Sequence, residues 1–336
     1  MMKNLQLSLL MMLLLTGCSS NDAVKLNPMG RQGDMLLVID DSLKSTQGGI
    51  FLQKLLLQPV LGLPQEEELF TLSLTPQRTF TKQLKALRNI IVVQASNQEN
   101  RDTILFYHNV WASDQTVAMV YTTSGEELYK LLNNNEIKLV SFFLKAERTR
   151  LIESNKKYPN ITVMDEINKQ WGISLTLPNT YLKNKSNQSF TWLSNEGPVF
   201  SIGILIYDFP YVGEGSFSRE YLINKRDSVL QKNLAGPSKG SYMSTELDFP
   251  VIYKTLTIEN QPVTELRGLW KVNGDMMGGP FLSHAHYDKA NNRVLVTEGY
   301  VYSPEKPNKR NLMQQAEAVL YSYRPVTESL KPAPLN

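Results

Sequence analysis

Val263-Thr264-Glu265-Leu266-Arg267-Gly268-Leu269-Trp270-Lys271, Phe281-Leu282-Ser283-His284-Ala285-His286-Tyr287 and Arg293-Val294-Leu295-Val296-Thr297-Glu298-Gly299-Tyr300-Val301 follow one another with only turn-forming stretches between them. Runs of this length, rich in branched and aromatic residues and bounded by Gly, Pro and Asn, read as strands. The next segment, Lys309 to Tyr323, places Leu312, Met313, Ala316, Val319 and Leu320 along one helical face. Consecutive strands closed by a covering helix predict an α+β unit with an antiparallel sheet.

The same plan extends upstream. Val251 to Ile258 reads as a further strand, Arg219 to Leu234 as a helix, and Ile173 to Leu177, Phe190 to Leu193 and Val199 to Tyr207 as strands. Gly172 sits where a short helix through Trp171 would stop. In the first half, Met35 to Ile39 is a continuous apolar run suited to a strand buried on both faces. Gly49 to Leu57 reads as a helix ended by Pro59, Leu69 to Leu74 as a strand, Pro76 to Leu87 as a helix and Ile90 to Val93 as a strand. The order there is β-α-β-α-β. Strands at Thr103 to His108 and Thr116 to Tyr121 follow, and a long helical region starts at Ser124-Gly125-Glu126-Glu127. Its Lys145, Glu147, Arg148 and Arg150 read as a solvated face.

Both halves thus end in strands followed by a covering helix. The expected fold class is α+β, with two units of mainly antiparallel sheet each covered by helices. A divergent duplication and two unlike lobes both fit this pattern. The expected divisions are a leader at 1–17, a tether at 18–32, units at 33–158 and 159–323, and a polar tail at 324–336.

Composition restricts the class further. With 42% hydrophobic and 20% charged residues the chain has the make-up of a globular protein. Thirty-five Lys and Arg against 32 Asp and Glu leave +3, too balanced for a nucleic-acid surface, so no nucleic-acid partner is expected. The single cysteine, Cys18, excludes an internal disulfide and any multi-cysteine metal site.

The position of that thiol gives it a different meaning. Lys3 is followed by an apolar run from Leu5 to Leu15, too short for the roughly 20 residues of a membrane span and typical of a secretory leader. Leu15-Thr16-Gly17-Cys18 then resembles a bacterial lipobox. That pattern implies cleavage before Cys18, a diacylglyceryl group on its sulfur and acylation of the new amine, a palmitate-type anchor. Each buried methylene contributes about 0.8 kcal/mol, so two or three acyl chains hold a protein on a membrane durably. Ser19 after the cysteine and a lone acid at Asp22 favour the periplasmic face of the outer membrane, with surface exposure as the alternative.

Several segments carry a family resemblance. They are Gln58-Pro59-Val60-Leu61-Gly62-Leu63-Pro64-Gln65 with Glu68-Leu69-Phe70, Arg267-Gly268-Leu269-Trp270, Met277-Gly278-Gly279-Pro280-Phe281, Asn292-Arg293-Val294, Glu298-Gly299-Tyr300-Val301-Tyr302 and Lys309-Arg310-Asn311-Leu312-Met313. Over nearly all of the mature chain, the sequence resembles the Bacteroidetes lipoprotein family of unknown function numbered 4837. The resemblance implies a lipid-anchored envelope protein of that phylum and brings no activity, cofactor or catalytic residue with it.

Chemistry-bearing motifs are few. The phosphate-binding Gly-Lys loop, His-Glu-x-x-His and Gly-x-Ser-x-Gly are absent, and Gly213-Glu214-Gly215-Ser216 has the wrong spacing for the last. Glu66-Glu67-Glu68 reads as solvated acid. His284-Ala285-His286-Tyr287-Asp288 is the candidate metal site, because alternate strand residues share a face and His284, His286 and Asp288 have the donor types of a zinc site. The competing reading is a polar, solvent-facing strand face; His108 is the other available imidazole. Gly278-Gly279-Pro280 reads as a turn. Trp192, Tyr207, Phe209, Tyr211, Trp270, Tyr300 and Tyr302 could form a sugar-stacking platform or belong to the core.

No catalytic residue is assigned and no cofactor is expected beyond the lipid on Cys18 and a divalent metal at the histidines. The leading expectation is a non-enzymatic envelope protein that binds a protein or glycan partner. A metal-dependent hydrolase and a glycan-binding module are the alternatives.

Overall fold

The computed structural model describes residues 25, 27–96, 102–305 and 308–326. The leader, Cys18, part of the tether and most of the tail lie outside them.

Short apolar runs alternating with helices build the first sheet. Its elements, in chain order, are β1 (Asp34–Val38), α1 (Asp41–Lys44), α2 (Gln47–Leu56), β2 (Thr71–Thr75), β3 (Asn89–Ala95), β4 (Thr103–His108), β5 (Thr116–Thr122), α3 (Gly125–Asn133) and α4 (Glu136–Lys157). The sheet order is β2-β1-β3-β5-β4. β2, β1, β3 and β5 run parallel and only β4 is antiparallel. The antiparallel expectation is therefore corrected for this half. A crossover between strands brings the next one back in the same direction, and only the β4–β5 hairpin reverses it.

One face of this sheet packs Met35, Leu37, Ile91, Val93, Ala118 and Val120 against α2, α3 and α4. The opposite face, with Leu36, Val38, Ile90, Val92 and Val117, meets no long helix. Pro76 to Leu87, expected to be helical, forms two 3₁₀ turns at Gln77–Thr79 and Leu84–Ala86. Neither turn has a side-chain cap, and Phe80, Leu84 and Leu87 are drawn down onto the sheet. Tertiary packing there overrides the pattern that suggested a helix. The long helical region divides at Asn134-Asn135 into α3 and α4, with Ser124 capping α3 through Glu127 N.

The second half contains α5 (Ile161–Trp171), β6 (Ile173–Ser174), β7 (Leu182–Asn187), β8 (Phe190–Gly197), β9 (Phe200–Pro210), α6 (Arg219–Asn233), β10 (Tyr242–Glu246), β11 (Ile252–Ile258), β12 (Gln261–Asn273), β13 (Gly278–Asp288), β14 (Arg293–Tyr302), α7 (Arg310–Tyr321) and β15 (Arg324–Pro325). Eight of the strands form one antiparallel sheet, ordered β10-β12-β13-β14-β9-β8-β7 with β11 also paired to β12. The two sheets differ in direction, strand number and order, so the topology is that of two unlike lobes and not of a duplication. The class itself is α+β, as expected.

The central strands of the large sheet are covered on both faces. On one side α5 and α7 pack over Leu193, Ile204, Ile206, Leu282, Leu295 and Val301. On the other, α6 packs over Leu205, Tyr207, Leu266, Phe281, Val294 and Val296. β7 and β10, whose sequences Leu182-Lys183-Asn184-Lys185-Ser186-Asn187 and Tyr242-Met243-Ser244-Thr245-Glu246 gave no strand pattern, close the edges. A lysine-bearing, fully exposed edge such as β7 resists pairing with other chains.

The Glu66-Glu67-Glu68 acids are not simply solvated. The Glu67 carboxylate accepts from the Lys309 and Arg310 amides at 2.6 and 2.9 Å, capping α7 from the other half of the chain. Arg310 in turn donates to the Glu68 carbonyl at 2.7 Å. Gln32 donates to Gln314 at 2.6 Å across the same boundary. No helix among the described residues is long and apolar enough to cross a membrane.

Candidate functional site

The β12–β13 register sets Glu265 opposite His284 and Val263 opposite His286. Both imidazoles therefore share one sheet face with Glu265 and Arg267, as the period of two predicts. The expectation that this face meets solvent is overturned. His284 is 0% and His286 4% exposed, because the C-terminal end of α7 and the residues after it lie over them. Tyr323 stacks on His286 with centroids 3.8 Å apart, and Tyr321 meets His284 edge-on at 4.8 Å.

The ligand set read from the sequence does not assemble. His284 Nε2 lies 3.1 Å from the Glu265 carboxylate. Asp288 is drawn instead to Arg293 at 2.7 Å and to Asn291 at 2.8 Å. His108 stands on β4 against Phe142 at 5.1 Å. Among the described residues no three His, Cys, Asp or Glu side chains are placed to hold a metal ion.

An ion network of α7, α4 and β12 takes the place of a metal centre. Arg148 on α4 donates to Glu317 on α7 at 2.5 Å, and Arg267 approaches Glu317 at 3.3 Å and Glu265 at 2.7 Å. Lys254 reaches Glu265 at 3.0 Å, and the Arg148 guanidinium lies 3.4 Å over the Tyr321 ring. Burial pushes the Glu265 carboxyl up, but the His284 hydrogen bond and the Arg267 charge outweigh it and hold it far below the ordinary carboxylate range. Burial lowers the His284 pKa against the pull of Glu265, and burial with the neighbouring His284 lowers that of His286 further. A neutral His284 donating from Nε2 to an ionised Glu265 satisfies both shifts. Among the described residues, His284 Nδ1, His286 Nε2 and Thr297 Oγ1 have no hydrogen-bond partner.

Two further charged clusters are buried. On the opposite face of the large sheet, Arg226 of α6 forks onto Glu298 at 2.7 to 3.1 Å, donates to Thr245 at 2.8 Å and lies 3.8 Å over Phe281. Burial disfavours the charged guanidinium, and the Glu298 charge and hydrogen bonds more than restore it. In the first half, Glu147 of α4 meets Arg88 at 3.0 Å and Arg150 at 2.7 Å and accepts from Asn89. Of the α4 residues read from sequence as a solvated face, Lys145 is exposed, while Glu147, Arg148 and Arg150 belong to the packed side. For Glu265 and Arg267, which the sequence reading did not single out, the available signal is alternation: they recur every second residue within an apolar strand, in step with His284 and His286.

The aromatic platform is largely dismantled by burial. Tyr207, Phe209, Trp270 and Tyr300 are core residues, and Trp192, Tyr211 and Tyr302 are partly exposed around them. Trp192 donates to the Tyr300 hydroxyl at 3.0 Å, and Trp270 donates to the Val301 carbonyl at 3.2 Å. Gly278-Gly279-Pro280 is not a turn but the start of β13. A Cβ at Gly279 would stand 2.1 Å from the Val301 carbonyl and 3.1 Å from the Trp270 indole nitrogen, so glycine is required by close packing. Chemically, these arrangements fix side chains; none presents an open acid–base pair to a substrate.

No curated protein matches the chain in a sequence search. Among solved structures, the Ran-binding protein Mog1p of Saccharomyces cerevisiae is similar at a TM-score of 0.30 and 8% identity over 47% of this chain and 93% of that one. A mutant of protein Mog1 gives 0.29 at 8% identity, again over 47% and 93%. A protein of unknown function from Pseudomonas aeruginosa gives 0.25 at 17%, over 48% of this chain and 92% of that one. The resemblance read from the sequence is narrower than expected, because the segment from Gln58 to Phe70 falls in the match to a different family: residues 28–156 match the model described as Domain of unknown function (DUF8532). Residues 160–322, which hold the large sheet, α7 and the buried histidines, match the family model described as Domain of unknown function (DUF4837).

Proposed function

We propose that this chain is a lipoprotein of the bacterial envelope, of the Bacteroidetes type, held by acyl chains on Cys18 and acting by binding a protein or glycan partner. The observation that carries the anchor is the order of residues at the N-terminus: a short apolar run, then Thr16-Gly17, then the only cysteine of the chain. Its place is the periplasmic face of the outer membrane.

Binding is favoured over catalysis by what the side chains are already doing. His284, Glu265 and Glu298 are inside the protein and paired with neighbours, and His286 is buried beneath Tyr323. The accessible surface includes an aromatic cluster. Tyr287 and Tyr211 lie 4.4 Å apart at the surface, with Phe217 beside Tyr211. Clusters of this kind suit contact with a macromolecule.

The anchor is tested by Cys18→Ser, followed by labelling with a palmitate analogue and membrane fractionation. Loss of label and release from the membrane support the reading; unchanged labelling contradicts it. Binding is tested by crosslinking in intact envelopes and recovery of the tagged protein. A reproducible partner lost on Tyr287→Ala supports it, and recovery of none contradicts it.

A further inference from the structure

We infer that the helix-free face of the first sheet, carried by β4 and the Pro76–Arg88 segment, lies flat on an anionic phospholipid surface. This rests on the lipid anchor at Cys18 and deepens it by assigning the face of the protein that the membrane meets.

The path of the chain makes the first argument. Lys25 donates to the Asn109 carbonyl at the β4–β5 hairpin, and Met29 pairs with Leu87 beside it. The chain therefore leaves the fold at one corner of the first sheet. Six residues lie between Cys18 and Lys25, and the seven Cα–Cα steps span at most about 25 Å. Whatever holds Cys18 holds this corner close to it.

What that corner exposes makes the second argument. Leu105 and Tyr107 pair with Met119 and Val117 and so point to the face of the sheet that no long helix covers. They are 40% and 43% exposed. Half-buried Trp111 and Phe80 meet edge-on at 5.5 Å beside them, and Lys85 lies 5.5 and 5.6 Å over the two rings. Aromatic rings flanked by lysine are the side chains that settle at the boundary between headgroups and acyl chains.

Charge makes the third. Residues 76–88 contain Arg78, Lys82, Lys85 and Arg88 and no Asp or Glu, and residues 103–113 contain no Asp or Glu either. Arg88 is spoken for by Glu147, while Arg78 and Lys82 are exposed. Asp102 and Asp114 flank 103–113 in sequence, and Asp40 accepts from the Gln77 amide at 2.8 Å at the start of the 76–88 segment. In a chain of near-neutral net charge, a cationic face around an apolar centre, at the corner nearest the anchor, fits an anionic lipid surface.

The test uses the full, acylated chain in vesicles of phosphatidylethanolamine and phosphatidylglycerol. With the Cys18 sulfur in a thioether, an introduced cysteine is the only free thiol. Leu105→Cys, Tyr107→Cys and, on the distant β7 edge, Leu182→Cys are each labelled with a polarity-sensitive dye, and brominated lipids serve as the quencher. The dye at 105 and 107 should shift to the blue and lose about half its emission or more to the bromolipids, as expected for side chains 5–10 Å into the interface, while the dye at 182 stays water-like. Equal, water-like emission at all three sites on protein that floats with the vesicles overturns the placement and leaves the anchor standing. Shielding at 105 and 107 without bromolipid quenching assigns the face to a protein and also overturns it. Failure of the unlabelled protein to float overturns the anchor, and this inference with it.

Discussion

At His286 the ring is sealed beneath Tyr323, and its Nε2 has no partner among the described residues, so protonation in the folded protein is unfavourable. The sign of the pH effect follows. The folded pKa lies well below the ordinary value of 6.5, so below that pH the unfolded chain takes up a proton that the folded one refuses. Stability therefore falls as pH drops below about 6.5, with a slope approaching about 1.4 kcal/mol per pH unit for each such histidine. Urea unfolding between pH 7.5 and 5.5 should show this loss, and His286→Phe, which keeps the stack, should reduce the slope. An unchanged slope in the variant would place the proton uptake elsewhere. Glu265 acts in the same direction at lower pH: its depressed pKa contributes stability above about 4.3 that is lost as pH falls toward the folded value. Arg226 and Glu298 make the sharpest single-residue case. Arg226→Met strands a buried carboxylate and should cost about 3–5 kcal/mol, read as a lower urea midpoint at unchanged slope.

At the scale of elements, α7 is held at its N-terminus by an acid from the other half of the chain. Glu67→Ala removes the acceptor for two amides and should cost about 0.5–2 kcal/mol. Hydrogen exchange should quicken at Lys309 and Arg310 before the rest of α7, and uniform quickening along the helix would contradict a local cap. This contact also marks the limit of what the residues disclosed. The period of two in Val263 to Lys271 and Phe281 to Tyr287, and the helical stripe from Leu312 to Leu320, are local patterns and were legible. The Pro76 to Leu87 stretch was misread because Phe80, Leu84 and Leu87 also satisfy a helical spacing, while the sheet beneath determines their actual path. β7 was invisible because an exposed edge strand has no buried alternation to display. Glu67 and Arg148 looked solvated because their partners lie far away in the chain, as do Arg88 and Asn89, which bury Glu147, and spacing cannot register such partners. For the candidate site, the face shared by His284 and His286 was readable, but the helix that covers it was not.

Across the whole molecule, the two sheets are tied by more than a linker. α4 and α7 pack together, and Arg148, Glu317 and Arg267 bridge them in sequence. A tie of this kind predicts coupled unfolding. Circular dichroism and tryptophan fluorescence should report one coincident urea transition for the intact chain, and Arg148→Ala should separate or broaden the two signals; two resolved transitions in the unaltered protein would argue against the tie. The buried polar groups of the large sheet then have a mechanical part, holding α7 where both halves can use it. The function proposed above rests on the outer surface and on the anchor proposed at Cys18. The central claim is that this fold is delivered to a membrane by Cys18, and mass spectrometry of the N-terminal peptide from envelope-purified protein tests it most directly. The account predicts a peptide that begins at Cys18 and carries a diacylglyceryl group on sulfur; a peptide with residues 1–17 still attached and an unmodified Cys18 thiol would contradict it.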